Sequence, residues 1–239
     1  MNALSSLIFA ASLCTAFLPI RAHAECRQAL ALGLDVSGSV DAREYRLQMD
    51  GLAQAVSDPN VQDALLGQPN APIKLLIFEW SGPNDQHIVV PWTEIKSVED
   101  IGRLTASLQN TQRRNASPGT ALGQAMLAGA AYLAQTQCWS KTLDISGDGE
   151  SNLGPRPRDV KPLLKDHGVT INALVIGADD PVIGDTRQVE ISRLSAYFRA
   201  EVILGTDAFV ETSLGFNRYA AAMTRKLMRE IKMLQLSMR

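Results

Sequence analysis

Three short stretches of this 239-residue chain crowd side-chain oxygens together: Asp35-Val36-Ser37-Gly38-Ser39, Ser117-Pro118-Gly119-Thr120 and Ser146-Gly147-Asp148-Gly149. In the first, alternate residues can turn their oxygens to one side, and Gly38 permits a tight bend between the two hydroxyls. Carboxylates and hydroxyls without nitrogen or sulfur suit hard cations. The chemistry expected of Asp35, Ser37, Ser39, Thr120 and Asp148 is therefore coordination of Mg²⁺, with Mn²⁺ or Ca²⁺ as alternatives. Plainer roles exist for single residues. Ser37 and Ser39 could cap a helix starting near Asp41, and Thr120 could cap the helix it opens. Capping does not explain why three distant loops share one chemistry.

The elements around these loops alternate. Ala29–Asp35 is a near-continuous apolar run ending in an acid, the pattern of a buried parallel strand with a functional carboxyl end. Asp41–Ser57 reads as a helix, with Tyr45, Met49, Leu52 and Val56 at helical spacing. Ile73–Trp80 is a second strand, and the turn residues Ser81–Asp85 return the chain as a third, Gln86–Trp92. So short a turn makes a hairpin, which puts that third strand antiparallel at an edge. Val98–Leu108 and Thr120–Ala134 read as helices, Thr142–Ser146 as a strand and Val160–His167 as a helix. Val169–Ile176 is a strand, Thr186–Phe198 a helix, Ala200–Leu204 a last strand, and Asp207–Met238 mostly helix.

This order implies a doubly wound α/β fold: a mostly parallel six-stranded sheet with one antiparallel edge strand and helices on both faces. Ligands of such sheets bind beyond the carboxyl ends of the strands, where the topology reverses. The oxygen-rich loops after the first and fourth strands fall there.

Residues 1–24 read as a signal peptide. Leu7–Leu18 is apolar, and Ala22-His23-Ala24 gives the small-x-small pattern of a cleavage site before Glu25. The run is short of the roughly 20 apolar residues that span a bilayer. Residues 25–239 then form one domain that is exported, either periplasmic or secreted. Removing the first 24 residues leaves Cys26 and Cys138, each just before an apolar run. If those runs are neighbouring parallel strands, both sulfurs lie at one end of the sheet, and an oxidising compartment favours a disulfide. Two buried free thiols are the alternative. A bridge would close a loop of more than a hundred residues, worth about 4–5 kcal/mol on the chain-entropy argument.

Charge narrows the other partners, leaving only local patches to attract them. With 23 Lys and Arg against 25 Asp and Glu, the chain has no general attraction for nucleic acid. The last helix carries Arg218, Arg225, Lys226, Arg229, Lys232 and Arg239 against Glu230, with Met223, Leu227, Ile231 and Leu234 as its apolar face. It is expected to pack on the sheet with a basic outer face; contact with anionic lipid is the lesser alternative.

Asp35-x-Ser37-x-Ser39, the Gly119-Thr120 pair and the Asp148-Gly149 pair resemble the metal-ion-dependent adhesion site (MIDAS) of von Willebrand factor A-type (VWA) domains. The resemblance covers most of residues 25–239, since strand order and loop positions agree. The segments Ile77-Phe78-Glu79-Trp80-Ser81-Gly82, Asp144–Gly149 and Ala208-Phe209-Val210 are similar to an uncharacterised bacterial family of secreted VWA-type proteins. The resemblance implies that Ser37, Ser39 and Thr120 meet the metal directly or nearly so. It implies that Asp35 and Asp148 act partly through water and fix the hydroxyls. Many relatives read Thr-Asp-Gly where this chain has Ser146-Gly147-Asp148-Gly149, and Asp144 is better placed inside the strand.

Neutral hydroxyls and water-separated carboxylates leave a cation partly unscreened, with an open position that a partner's Asp or Glu carboxylate can fill. That describes metal-dependent protein–protein interaction or adhesion, and not an enzyme. The competing reading is a metal-dependent phosphatase of haloacid dehalogenase type, which also places an Asp after its first strand. Such an enzyme needs a second acid where this chain has Ser37 and another near Asn152. A metal-free structural module is the third reading, should the loops not converge.

Overall fold

A computed structural model describes residues 26–177 and 187–237. The expected signal peptide, residues 1–24, lies outside them, as does the start of the helix expected from Thr186. The described strands form one six-stranded sheet in the order β3-β2-β1-β4-β5-β6. These are β1 (Gln28–Asp35), β2 (Ile73–Trp80), β3 (Gln86–Ile95), β4 (Ser140–Gly147), β5 (Val169–Ile176) and β6 (Val210–Ser213). All neighbouring pairs are parallel except β2 with β3, the expected edge hairpin.

Alternation along β1 decides what covers each face. Leu30, Leu32 and Leu34 pack with α1 (Ala42–Val56), α2 (Pro59–Leu66), α3 (Val98–Asn110) and α7 (Tyr219–Ser237). Ala29 and Ala31 face the other way, towards α4 (Leu122–Ala134), α5 (Pro157–Leu164) and α6 (Arg187–Tyr197). Gly33 completes that small-residue row. A Cβ there would lie 2.7 Å from Phe78 Cζ, so only glycine lets the Phe78 ring cross the strand. Cys26 and Cys138 are joined by a disulfide 112 residues apart, at the end of the sheet where β1 and β4 begin.

Three expectations need correction. Ala200–Leu204 is no strand: Phe198–Val202 is a π-helical turn, and only Leu204 meets the sheet, through an isolated bridge to Ile171. Phe198 and Val202, four apart, are both fully buried, so helical spacing outweighs the β-branched run. The sixth strand is instead Val210–Ser213, inside the segment read as mostly helix. Its four residues are too few to show an alternating pattern. The helix α2 was not anticipated, although Asp58 caps it and Pro59 opens it, a strong start signal.

The third correction concerns α7. Met223, Leu227 and Ile231 form the buried face as expected, but Lys226 and Glu230 are buried too. The Lys226 ammonium lies 2.7 Å from Asp144 Oδ2 on β4 and 2.6 Å from Glu230 Oε1. Asn172 Nδ2 also donates to Glu230 Oε1, at 2.8 Å. Burial alone would lower the Lys226 pKa; the two acids outweigh it and hold the ammonium above its ordinary range. Among the outward cations, Arg225 pairs with Glu211, and Arg229 sits 3.8 Å over the Phe209 ring. No helix among the described residues is long and apolar enough to cross a membrane.

Removing one member of a buried ionic group strands the others without compensation. Lys226→Ala is therefore expected to lower unfolding free energy by about 3–5 kcal/mol, measured by denaturant titration. A loss below about 1 kcal/mol, as for an exposed pair, would show that the group does not anchor α7.

Candidate metal centre

The sheet order reverses between β1 and β4, so the loops leaving these two strands open into one crevice. Asp35 ends β1 fully buried, and its Oδ1 accepts the Ser37 backbone N–H at 2.8 Å. This turns the chain back so that Ser37 Oγ and Ser39 Oγ stand 3.2 Å apart. The Ser39 hydroxyl then donates to Asp148 Oδ1 at 2.7 Å, across 109 residues of sequence. Four of the five candidate residues thus form one hydrogen-bonded chain. Neither serine caps α1; Asp41 does so, in a capping box with Glu44.

Thr120 is held on the adjoining loop. The Gly38 N–H donates to Pro118 C=O at 3.1 Å, which ties the two loops together. Contrary to expectation, Thr120 does not open the helix: α4 begins at Leu122 after Ala121, without a side-chain cap. Asn152 fixes Thr120 from both sides, its Oδ1 accepting the Thr120 N–H at 2.8 Å and its own N–H donating to Thr120 C=O at 3.0 Å. The Thr120 hydroxyl is not used in capping, and no hydrogen bond among the described residues links it to the other four. Leu153 lies over Gly119, where a Cβ would come within 2.1 Å of Leu153 Cδ1, so a larger residue here would push the Leu153 side chain aside.

Three supporting residues escaped the sequence reading. Arg113, next to Arg114 in the chain, gives Nη2 to the carbonyls of Val36, Ser37 and Val40 at 2.9–3.4 Å and clamps the first loop. Gln48 Nε2 donates to the Asp35 carbonyl at 3.1 Å. Asn152 stood out only as an acid the phosphatase reading lacked. Nothing in their types or spacing marks these roles, because each targets backbone brought near by the fold.

Electrostatics point the same way. Burial, and then the Asp148 charge, push the Asp35 carboxyl up to about 7, against the Ser37 hydrogen bonds. Burial also raises the Asp148 carboxyl. Asp35 Oδ2 is buried and accepts no hydrogen bond among the described residues. An orphaned carboxylate oxygen beside a second acid and aligned hydroxyls fits the donor set of a hard cation. No group of three or more His, Cys, Asp and Glu converges among the described residues. With only two acids, this donor set relies on hydroxyls for the rest.

Comparison with known proteins identifies a family and a fold. Residues 25–235 match the family described as Protein of unknown function (DUF1194). The chain belongs to this family. No curated protein matches the DUF1194 chain by sequence. Its fold is that of VWA domains. Proximal thread matrix protein 1 of the mussel byssus, solved with a zinc-occupied MIDAS motif, superposes with a TM-score of 0.58 at 18% identity. That match covers 86% of the DUF1194 chain and 48% of the byssus protein, so this chain spans about half of its length. A von Willebrand factor type A protein from Catenulispora acidiphila gives 0.58 at 14% identity, covering 86% and 43% of the two chains. BatB from Bacteroides thetaiotaomicron gives 0.52 at 14% identity, covering 87% and 98%.

The raised acid yields a pH test. Between its ordinary value of 3.8 and about 7, Asp35 keeps a proton in the folded chain that the unfolded chain has released. The folded state binds more protons there, so this group's contribution to stability falls as pH rises through that window. In chelator, the melting temperature should drop across it, and Asp35→Asn should flatten part of the drop. An identical profile for the wild type and Asp35→Asn would rule out the Asp35 contribution.

Proposed function

We propose that this protein binds one divalent cation through Asp35, Ser37, Ser39, Thr120 and Asp148, and uses it to hold a carboxylate of a partner protein. The observation that carries the reading is the buried, unpartnered Asp35 Oδ2, set in a line of oxygens running through Ser37 and Ser39 to Asp148. Bound there, the ion supplies residual positive charge for a partner's Asp or Glu. Mg²⁺ is the first expectation, with Mn²⁺ or Ca²⁺ as alternatives. The zinc reported in the mussel protein's MIDAS motif supports metal binding on this fold.

The chain's own residues act by position. Asp35 turns the first loop through the Ser37 backbone N–H and Asp148 orients the Ser39 hydroxyl, while Arg113 and Asn152 hold the two neighbouring loops through backbone contacts. We read the module as a binder and not an enzyme: the carboxamide of Asn152, at the position where a phosphatase would need an acid, is engaged with the Thr120 backbone. The signal-like residues 1–24, the disulfide and the likeness to a pilus adhesin of Lactobacillus rhamnosus GG support an exported, periplasmic or secreted protein in adhesion or interaction.

Melting in chelator and in millimolar Mg²⁺, Mn²⁺ or Ca²⁺ tests the reading. At least one ion should raise the midpoint, as ligand linkage requires. Asp35→Ala should abolish the rise, and Ser39→Ala should weaken it. Indifference of the wild type to all three ions sinks the proposal.

A further inference from the structure

Beside the metal centre, the hairpin between β2 and β3 and the loop after α3 frame a half-open cavity of about 130 Å³. Its wall includes Val36 of the first site loop, together with Glu79, Ser81, Asp85, His87 and Arg114. Glu79, Trp80 and Ser81 belong to a segment the metal site does not use. Glu79 is 3% exposed and engages one oxygen, Oε1, which accepts the Tyr45 hydroxyl at 2.6 Å. It forms no ion pair among the described residues. The Ser81 hydroxyl is fully buried and has no hydrogen-bond partner among them. Asp85 brings a second carboxylate, whose Oδ2 accepts the Ser117 N–H at 2.7 Å.

A buried carboxylate whose contact is a neutral hydroxyl is costly, and an arriving cation relieves that cost. Burial raises the Glu79 pKa against the Tyr45 hydrogen bond and the more distant His87, Arg114 and Arg113. Arg113 is spent on carbonyls of the first loop, and Arg114 is exposed at the rim. An anion entering would meet Glu79 on the wall. The volume equals about four waters, enough for an ammonium group and its last methylenes.

We propose that this cavity binds a primary ammonium group, that of a lysine side chain on the partner. Glu79 supplies the charge and Ser81 an acceptor. Because Val36 separates the cavity from Asp35 and Ser37 by one residue, a partner would present a base close to the acid held at the metal. That pairing rests on the metal-binding reading; the ammonium site itself does not.

The probe is N-acetyl-lysine methylamide, compared with its uncharged norleucine analogue, titrated into the ¹⁵N-labelled protein in Mg²⁺ and again in chelator. Saturable shifts of the Ser81, Asp85 and His87 amides are expected. Affinity should fall roughly tenfold or more with norleucine or with Glu79→Gln. Ser81→Ala should weaken binding and carries the test if Glu79→Gln does not fold. Absence of saturation, equal binding of the two compounds, or an unaffected pair of variants overturns the proposal. Lysine binding without any response to metal ions would sink the metal reading alone. A metal response without lysine binding would sink this one alone.

Discussion

The Asp35 carboxylate is the constraint around which the site is arranged. It sits fully buried at the end of β1, with one oxygen tied to the Ser37 N–H and the other without a donor among the described residues. A carboxylate in that setting resists ionisation, and a second acid, Asp148, adds to the resistance. An apolar wall around it would leave the free oxygen without any compensating partner. The chain instead surrounds it with hydroxyls and holds the loops that carry them by contacts to backbone.

Those contacts explain why the rest of the fold is built as it is. Asp148 follows β4, so its place depends on β4 lying in register beside β1. The disulfide fastens the beginnings of the same two strands, and the Lys226 ammonium fastens β4 to α7 in mid-sheet. Gly33 lets Phe78 pack across β1, bringing Glu79 and Trp80 level with Leu34 and Asp35. The crevice is thus braced from below, while Arg113 and Asn152 brace it from the sides.

Much of this was legible in the residues. The apolar run ending at Asp35, the hairpin turn at Ser81–Asp85 and the cysteines before two strands led to the right sheet, edge strand and disulfide. Periodicity failed where elements were short: β6 has four residues, and Phe198–Val202 carries strand-like residues in a helical turn. The basic last helix misled for another reason. Lys226 and Glu230 read as surface charges, because sequence does not reveal that Asp144 waits opposite them in the core. For the site, side-chain oxygens two apart marked Ser37 and Ser39, whereas Gln48, Arg113 and Asn152 act on distant backbone and leave no local pattern.

The central claim is that the oxygens of three loops hold one cation. Titration of Mn²⁺ into the ¹⁵N-labelled protein, followed by paramagnetic broadening of amide signals, tests it most directly. The account predicts saturation at one ion per chain, with broadening centred on Ser37, Ser39, Thr120 and Asp148 and lost in Asp35→Asn. Broadening centred elsewhere, or a response unchanged by Asp35→Asn, would contradict it.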